Sequence, residues 1–157
     1  MSVARVSRTS YHHGNLEEAL ITSAIKLIRK HGPDNLSLRA VASELGVSPS
    51  AAYHYFPDKD SLIHGVGDHL FAELTQMMEK SLEKFPGKNI KATKSRFREI
   101  GRAYFTWASK EPNLFRLLFG RFWSMDRGKS HKEDSSFKIM EKTLDELVEC
   151  GAMPKKL

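Results

Sequence analysis

Residues 36–62 read LSLRAVASELGVSPSAAYHYFPDKDSL, and their spacing predicts two short helices, a tight turn and the start of a third helix. Leu38, Val41, Ala42 and Leu45 recur at i, i+3, i+4 and i+7, one apolar stripe on a helix of about three turns. Gly46 follows at once, the residue expected where a helix ends in a left-handed backbone conformation. Val47 is expected to pack inward and Ser48 to cap the second helix. Pro49 then takes the first helical position, where its missing N–H leaves nothing unsatisfied. This second helix is expected to carry Ala52, Tyr53 and Phe56 toward the interior and to stop at Pro57. Asp58 caps the next helix, with Lys59 in its first turn. Two helices joined through such a glycine turn form the helix-turn-helix pattern, whose second helix enters the DNA major groove.

Upstream, Asn15 and Glu18 stand at capping-box spacing. Leu16, Leu20, Ala24, Leu27, Ile28 and His31 mark a buried stripe, and Gly32-Pro33 closes that first helix. Such a helix supports the helix-turn-helix pair and completes a three-helix core. Residues 1–14, MSVARVSRTSYHHG, show no periodicity and no acid. They are expected to form a flexible basic arm, either frayed or reaching phosphates or the minor groove.

Downstream, Leu62, Val66, Leu70, Leu74, Met77 or Met78, Leu82 and Phe85 repeat at helical spacing until Pro86-Gly87. That run is too long to belong to a three-helix domain alone, so it is expected to connect residues 15–60 to a second helical domain over 61–157. Phe97, Ile100, Gly101, Tyr104, Phe105 and Ala108 mark the buried stripe of a fifth helix, ended by Glu111-Pro112. NLFRLLFGRFW, residues 113–123, is almost solidly apolar and is expected in a core, pocket or interface. Ser124 to Asp134 is a polar loop. Phe137, Met140, Leu144, Leu147 and Val148 mark a last helix, with Gly151 just past its end. No segment alternates with the period of a strand, so the expected fold is all-α.

Composition narrows the function. A hydrophobic content of 40% over 157 residues supports a packed core. No apolar run approaches the ~18 residues of a bilayer span. The N-terminus lacks the apolar stretch of a signal peptide. One cysteine, Cys150, has no internal disulfide partner, which fits a cytoplasmic location. The net charge of +6 suggests nucleic acid, but little of it lies in residues 1–60. Most of the excess falls between Lys80 and Arg102, a run most simply read as a solvated helix surface. Placement of individual residues, not global basicity, therefore carries the DNA reading.

Histidine and acid pairs occur at His64/Asp68, His69/Glu73 and His131 near Glu133 and Asp134. None reaches a three- or four-ligand signature, so no metal site is expected. There is no nucleophile motif, no phosphate-cradling glycine loop and no paired carboxylates in an apolar setting, and the chain reads as a non-enzyme without cofactor.

ELGVSPSAAYHYFPDKDSL, with YHHGNLEEALITSAIKLIRKHGPDNLSLRAVA before it, resembles the N-terminal domain of the TetR (tetracycline repressor) family of bacterial transcriptional regulators. Tyr11 to Leu62 match that domain without a gap. The distinguishing features are the Tyr-His-Tyr-Phe run that closes the recognition helix and the Asp58-Lys59 pair beyond it. Helical geometry places Ser48, Ser50, Ala51, His54 and Tyr55 on the exposed face, where hydroxyls and ring edges meet phosphates or bases and Ala51 meets a thymine methyl. The resemblance adds Tyr53 and Lys59 as phosphate contacts, and Ser37 and Arg39 as contacts to phosphate and base edges, Arg39 being the best guanine reader.

The same resemblance implies a palindromic double-stranded DNA operator, a homodimer, and repression relieved by a small apolar effector. Tyr104, Trp107, Phe115, Phe119, Phe122 and Trp123 are the candidate lining of the effector pocket. Helices five to seven resemble the subgroup named for a Trp-His-Gly motif. Family members continue with two more helices, so the C-terminal domain is expected to be truncated here. Two other readings stay open: a ligand-independent DNA-binding adaptor with a protein partner, and a metal-responsive regulator.

Overall fold

The computed structural model describes residues 13–120 and 135–154. Seven α-helices and one 3-10 turn make up the described structure, with no strand among them. These are α1 (His13–His31), the turn Pro33–Asn35, α2 (Leu38–Leu45), α3 (Pro49–Tyr55), α4 (Lys59–Leu82), α5 (Ile90–Lys110), α6 (Pro112–Phe119) and α7 (Ser135–Glu149). Helix α1 opens at His13, so Asn15 lies inside it rather than capping it. Of the expected arm, residues 1–12 lie outside the described structure, as do Phe122, Trp123 and His131.

Local chemistry sets the helix ends. Ser37 and Ser48 cap α2 and α3, their hydroxyl oxygens accepting from the amides of Ala40 at 3.1 Å and Ala51 at 3.2 Å. Gly46 sits at φ 69°, and its amide and that of Val47 close α2 on Ser43 and Ala42 carbonyls. Asp58 and Ser61 form a reciprocal capping box at the start of α4, with 2.7 Å from the Ser61 amide to Asp58 Oδ1. At the other end of the fold, Gly151 at φ 74° ends α7.

Two apolar cores are threaded on α4. In the first, Leu20, Ala24 and Ile28 of α1 pack against Leu38 and Val41 of α2, Ala52 and Phe56 of the recognition segment, and Leu62, Val66 and Leu70 of α4. Leu114, Leu117 and Leu118 of α6 belong to this core too, which therefore draws on residues well beyond position 60. The second core joins Leu74 and Met78 of α4 to Ile100 of α5, with Ile139 and Met140 of α7 half-buried against them. At 1.5 Å per residue, α4 is ~36 Å long and spans both.

Several expected faces turn out rotated. His31 is exposed because α1 ends as it leaves the core. Helix α5 buries Thr93, Arg96 and Ile100, while Gly101 is exposed and Phe97 and Phe105 point outward, Phe105 being 72% accessible. Helix α7 buries Ser136, Thr143 and Leu147 and leaves Phe137 exposed. On α5 the inward side is the one that carries Arg96, whose guanidinium bonds the Phe85 and Gly87 carbonyls and Glu146, so Phe97, about 100° further around the helix, is carried to the outer side.

Candidate nucleic-acid interface

The α2–α3 pair presents a contiguous set of polar side chains. Ser37, Arg39, Ser48, Ser50 and His54 are exposed, and Ala51 is half-buried at the front of α3. The two serine caps use only an acceptor lone pair on each oxygen, so both hydroxyls retain an O–H to donate.

The recognition helix corrects one expectation. Tyr53 is 43% accessible and faces away from the core, whereas Tyr55 is half-buried and packs on it. The inward positions are Ala52 and Phe56, four apart, and Tyr55 at i+3 from Ala52 shares their side. Tyr53 lies about 100° around the helix from Ala52. Tyr55 also meets His54 edge-on, ring centroids 5.4 Å apart, which steadies the imidazole. The outward aromatic pair is thus Tyr53 and His54.

Lys59 is half-buried in the first turn of α4, where its Nζ donates to the backbone carbonyl of Asp34 at 3.0 Å. An ammonium has three N–H donors, so this contact orients the side chain without using up its capacity for a phosphate. It also ties α4 to the turn between α1 and α2. Lys26 pairs loosely with Glu44 at 3.7 Å, and Arg39 of α2 is an exposed cation among the described residues.

Behind this surface, α6 is latched to α1. Arg29 Nε donates to Glu111 Oε1 and Oε2 at 3.1 and 3.0 Å, and Asn113 Nδ2 donates to the Arg29 carbonyl at 3.0 Å. Arg116 pairs with the Asp34 carboxylate at 2.8 Å. Asp34 therefore links α6 through its side chain to α4 through its carbonyl. No spacing signal in the sequence marks these pairs, whose members lie 82 to 84 positions apart.

The candidate effector cluster separates into two parts. Tyr104, Phe115 and Phe119 pack on one another, with centroids 4.9 Å apart for Phe115–Phe119 and 5.9 Å for Tyr104–Phe119, and Phe71 of α4 joins them. Burial raises the Tyr104 phenol above its ordinary pKa of 10.0. Trp107 instead lines a groove of about 540 Å³ between α4 and α5.

The basic run of 80–102 contains one residue that is not a solvated surface charge. Arg96 is buried, with Nη1 donating to the carbonyls of Phe85 at 2.8 Å and Gly87 at 2.6 Å, and Nη2 to Glu146 Oε2 at 2.6 Å. It fastens the α4–α5 connection to α7. His69 pairs with Glu73 at 3.5 Å, and no group of three or more metal-ligating side chains occurs among the described residues. No helix among them is long and apolar enough to cross a membrane.

The chain is similar to several known proteins in sequence or in fold. The nucleoid occlusion factor SlmA of Pasteurella multocida is 30% identical over 108 residues, 66% of this chain and 50% of that protein. The HTH-type transcriptional regulator BetI of Brucella anthropi is 40% identical over 63 residues, 40% of this chain and 32% of that protein. The chain thus spans half or less of the length of these two curated relatives. A solved protein of unknown function from Rhodococcus sp. RHA1 superposes with a TM-score of 0.65 at 26% identity, over 92% of this chain and 72% of that one. A tetR-family transcriptional regulator from Streptomyces coelicolor gives 0.61 at 19% identity over 94% and 62%. Residues 20–66, the stretch that carries most of α1, all of α2 and α3 and the start of α4, match the family model for bacterial regulatory proteins of the tetR family, and this part of the chain is an N-terminal domain of that family.

Proposed function

We propose that the protein is a DNA-binding transcriptional regulator, a ligand-responsive repressor that holds a palindromic operator as a homodimer in the cytoplasm. The observation that carries this reading is the capped α2–α3 unit. It turns Arg39, Tyr53 and His54 outward together and leaves the hydroxyls of Ser37, Ser48 and Ser50 free to donate. Such a set supplies phosphate contacts for affinity and base-edge contacts for sequence reading.

Support for a response to a ligand comes from α4, which carries its first turns in the core of the reading head and its last turns in the second core. An effector that prefers one α4 position by a few kcal/mol shifts the spacing of two paired heads and so the population bound to DNA. Tyr104, Trp107, Phe115 and Phe119 are the described aromatic residues nearest that role.

Selection from a pool of random duplexes tests the proposal. Enrichment of one two-fold symmetric site, with a dimer in light scattering, is the expected result. Binding without sequence preference, or a monomer on a single half-site, overturns the dimeric repressor reading. A second reading is favoured by the similarity to a nucleoid occlusion factor over 108 residues: a DNA-binding adaptor that takes a protein partner and no effector. Operator affinity unchanged by any small molecule, together with a partner retained on DNA, selects that reading.

A further inference from the structure

Two grooves lie against α5. The one toward α7, about 610 Å³, is lined by Lys88, Arg96 and Lys142 on one side of the charge balance and Asp145, Glu146 and Glu149 on the other. Its signs cancel, and Arg96 and Glu146 already satisfy each other. The groove toward α4 is different.

Its α4 and α5 walls include Met77, Ala103 and the half-buried ring of Trp107, an apolar strip. The connection 83–89 reverses the chain between the two helices. Lys84 in that connection therefore lies toward one end of the groove, and Lys110 toward the other. On α5 the lining runs from Glu99 to Lys110, ~16 Å at 1.5 Å per residue. Its other charges are committed. Arg102 grips Glu99 with Nε at 2.6 Å and Nη2 at 2.9 Å, and Glu111 is held by Arg29. Lys84 and Lys110 have no ion pair among the described residues, so the groove carries two uncompensated cations flanking an apolar strip.

We propose that this groove binds an elongated amphipathic organic anion, its apolar body along Trp107 and Met77 and its carboxylate or sulfonate on Lys110 or Lys84. A volume of about 540 Å³ suits a small molecule of drug-like size. The charge pattern selects an anion over the neutral apolar compound that the aromatic residues alone suggest. This binding is independent of DNA. Its regulatory consequence rests on the repressor reading: Glu111 lines the groove and also holds α1 through Arg29, so an anion seated beside it alters that latch.

The test uses DNA-free full chain, with 4-phenylbutyrate and its neutral analogue 4-phenylbutanamide as probes, followed by calorimetry and tryptophan fluorescence. The carboxylate is expected to bind about five-fold more tightly than the amide, the upper range for exposed ion pairs. The preference is expected to disappear in Lys84→Gln/Lys110→Gln, whose exposed positions leave the fold intact, and the fluorescence change to disappear in Trp107→Phe. Equal affinities, a preference that survives the double lysine substitution, or no binding by either probe overturns the proposal. Because no DNA is present, failure here leaves the operator reading standing, and loss of the operator reading leaves this result standing.

Discussion

Arg29 of α1 donates its Nε–H to both carboxylate oxygens of Glu111, at 3.1 and 3.0 Å, across a boundary that the chain crosses only after 82 residues. The contact joins the helix that supports the reading head to the helix that follows α5. Both side chains keep partial solvent access. Its energy is therefore modest, and its value is positional.

A double-mutant cycle with Arg29→Ala and Glu111→Ala, followed by urea unfolding, is expected to give a coupling of about 0.2–1 kcal/mol. Raising salt to 1 M is expected to remove most of it, since partly exposed charges are screened. A coupling that persists at high salt contradicts the solvent-exposed pairing seen here.

Lys59 and Arg39 separate affinity from specificity. Lys59→Ala is expected to weaken binding to all duplexes and lower the salt slope by about one. Arg39→Ala is expected to relax preference at one base pair by roughly 1–3 kcal/mol. Fluorescence anisotropy across a salt series and a set of single-base variants reads both. Identical behaviour of the two variants refutes the division of roles.

Arg96 marks the interior side of the basic run. With its side chain only 11% accessible and bonded to Glu146 and two backbone carbonyls, its loss strands a carboxylate and both acceptors. Arg96→Ala is expected to cost about 1–3 kcal/mol, the range for leaving buried acceptors without a donor, since the Glu146 carboxylate keeps partial access to water. The exposed neighbours Lys94 and Arg98, changed to Ala, are expected to stay within about 0.5 kcal/mol. Chemical denaturation of the three variants decides.

Two helical glycines are expected to respond oppositely to alanine. A Cβ on Gly101 meets nothing within 4 Å, so Gly101→Ala is expected to stabilise by up to ~1 kcal/mol through helix propensity. A Cβ on Gly65 meets Phe56 Cε1 at 2.9 Å, and that ring is buried. Overpacking there costs about 1–3 kcal/mol and exceeds the propensity gain, so Gly65→Ala is expected to lower the unfolding midpoint.

Tyr104 gives a pH signature. Burial raises its phenol pKa in the folded state, so the unfolded chain loses that proton first as pH climbs past 10.0. Its contribution is intact below pH 10 and is lost as pH rises through the folded value. Tyr104→Phe is expected to match the parent at pH 8 and to lose less stability than the parent by pH 11, measured as urea midpoints. A parallel decline in both proteins refutes the assignment.

What the sequence by itself determined is local. The ends of α2, α3 and α4 follow from Ser37, Ser48, Asp58 and Gly46, because a cap or a left-handed turn is settled by atoms three or four residues apart. The same holds for the all-α class and for the exposed serines and His54 of the reading head, which follow from helical period. Only the tertiary structure decided the rest. Whether Tyr53 or Tyr55 turns inward, and which stripe of α5 and α7 is buried, depends on how closely those helices approach the ones they pack against. Chain spacing says nothing of that. The placement of α6 in the first core, its latch to α1 and the Arg96–Glu146 clamp join residues 50 to 84 positions apart. No periodicity encodes such partners, because they are chosen by shape and charge only once the helices have met.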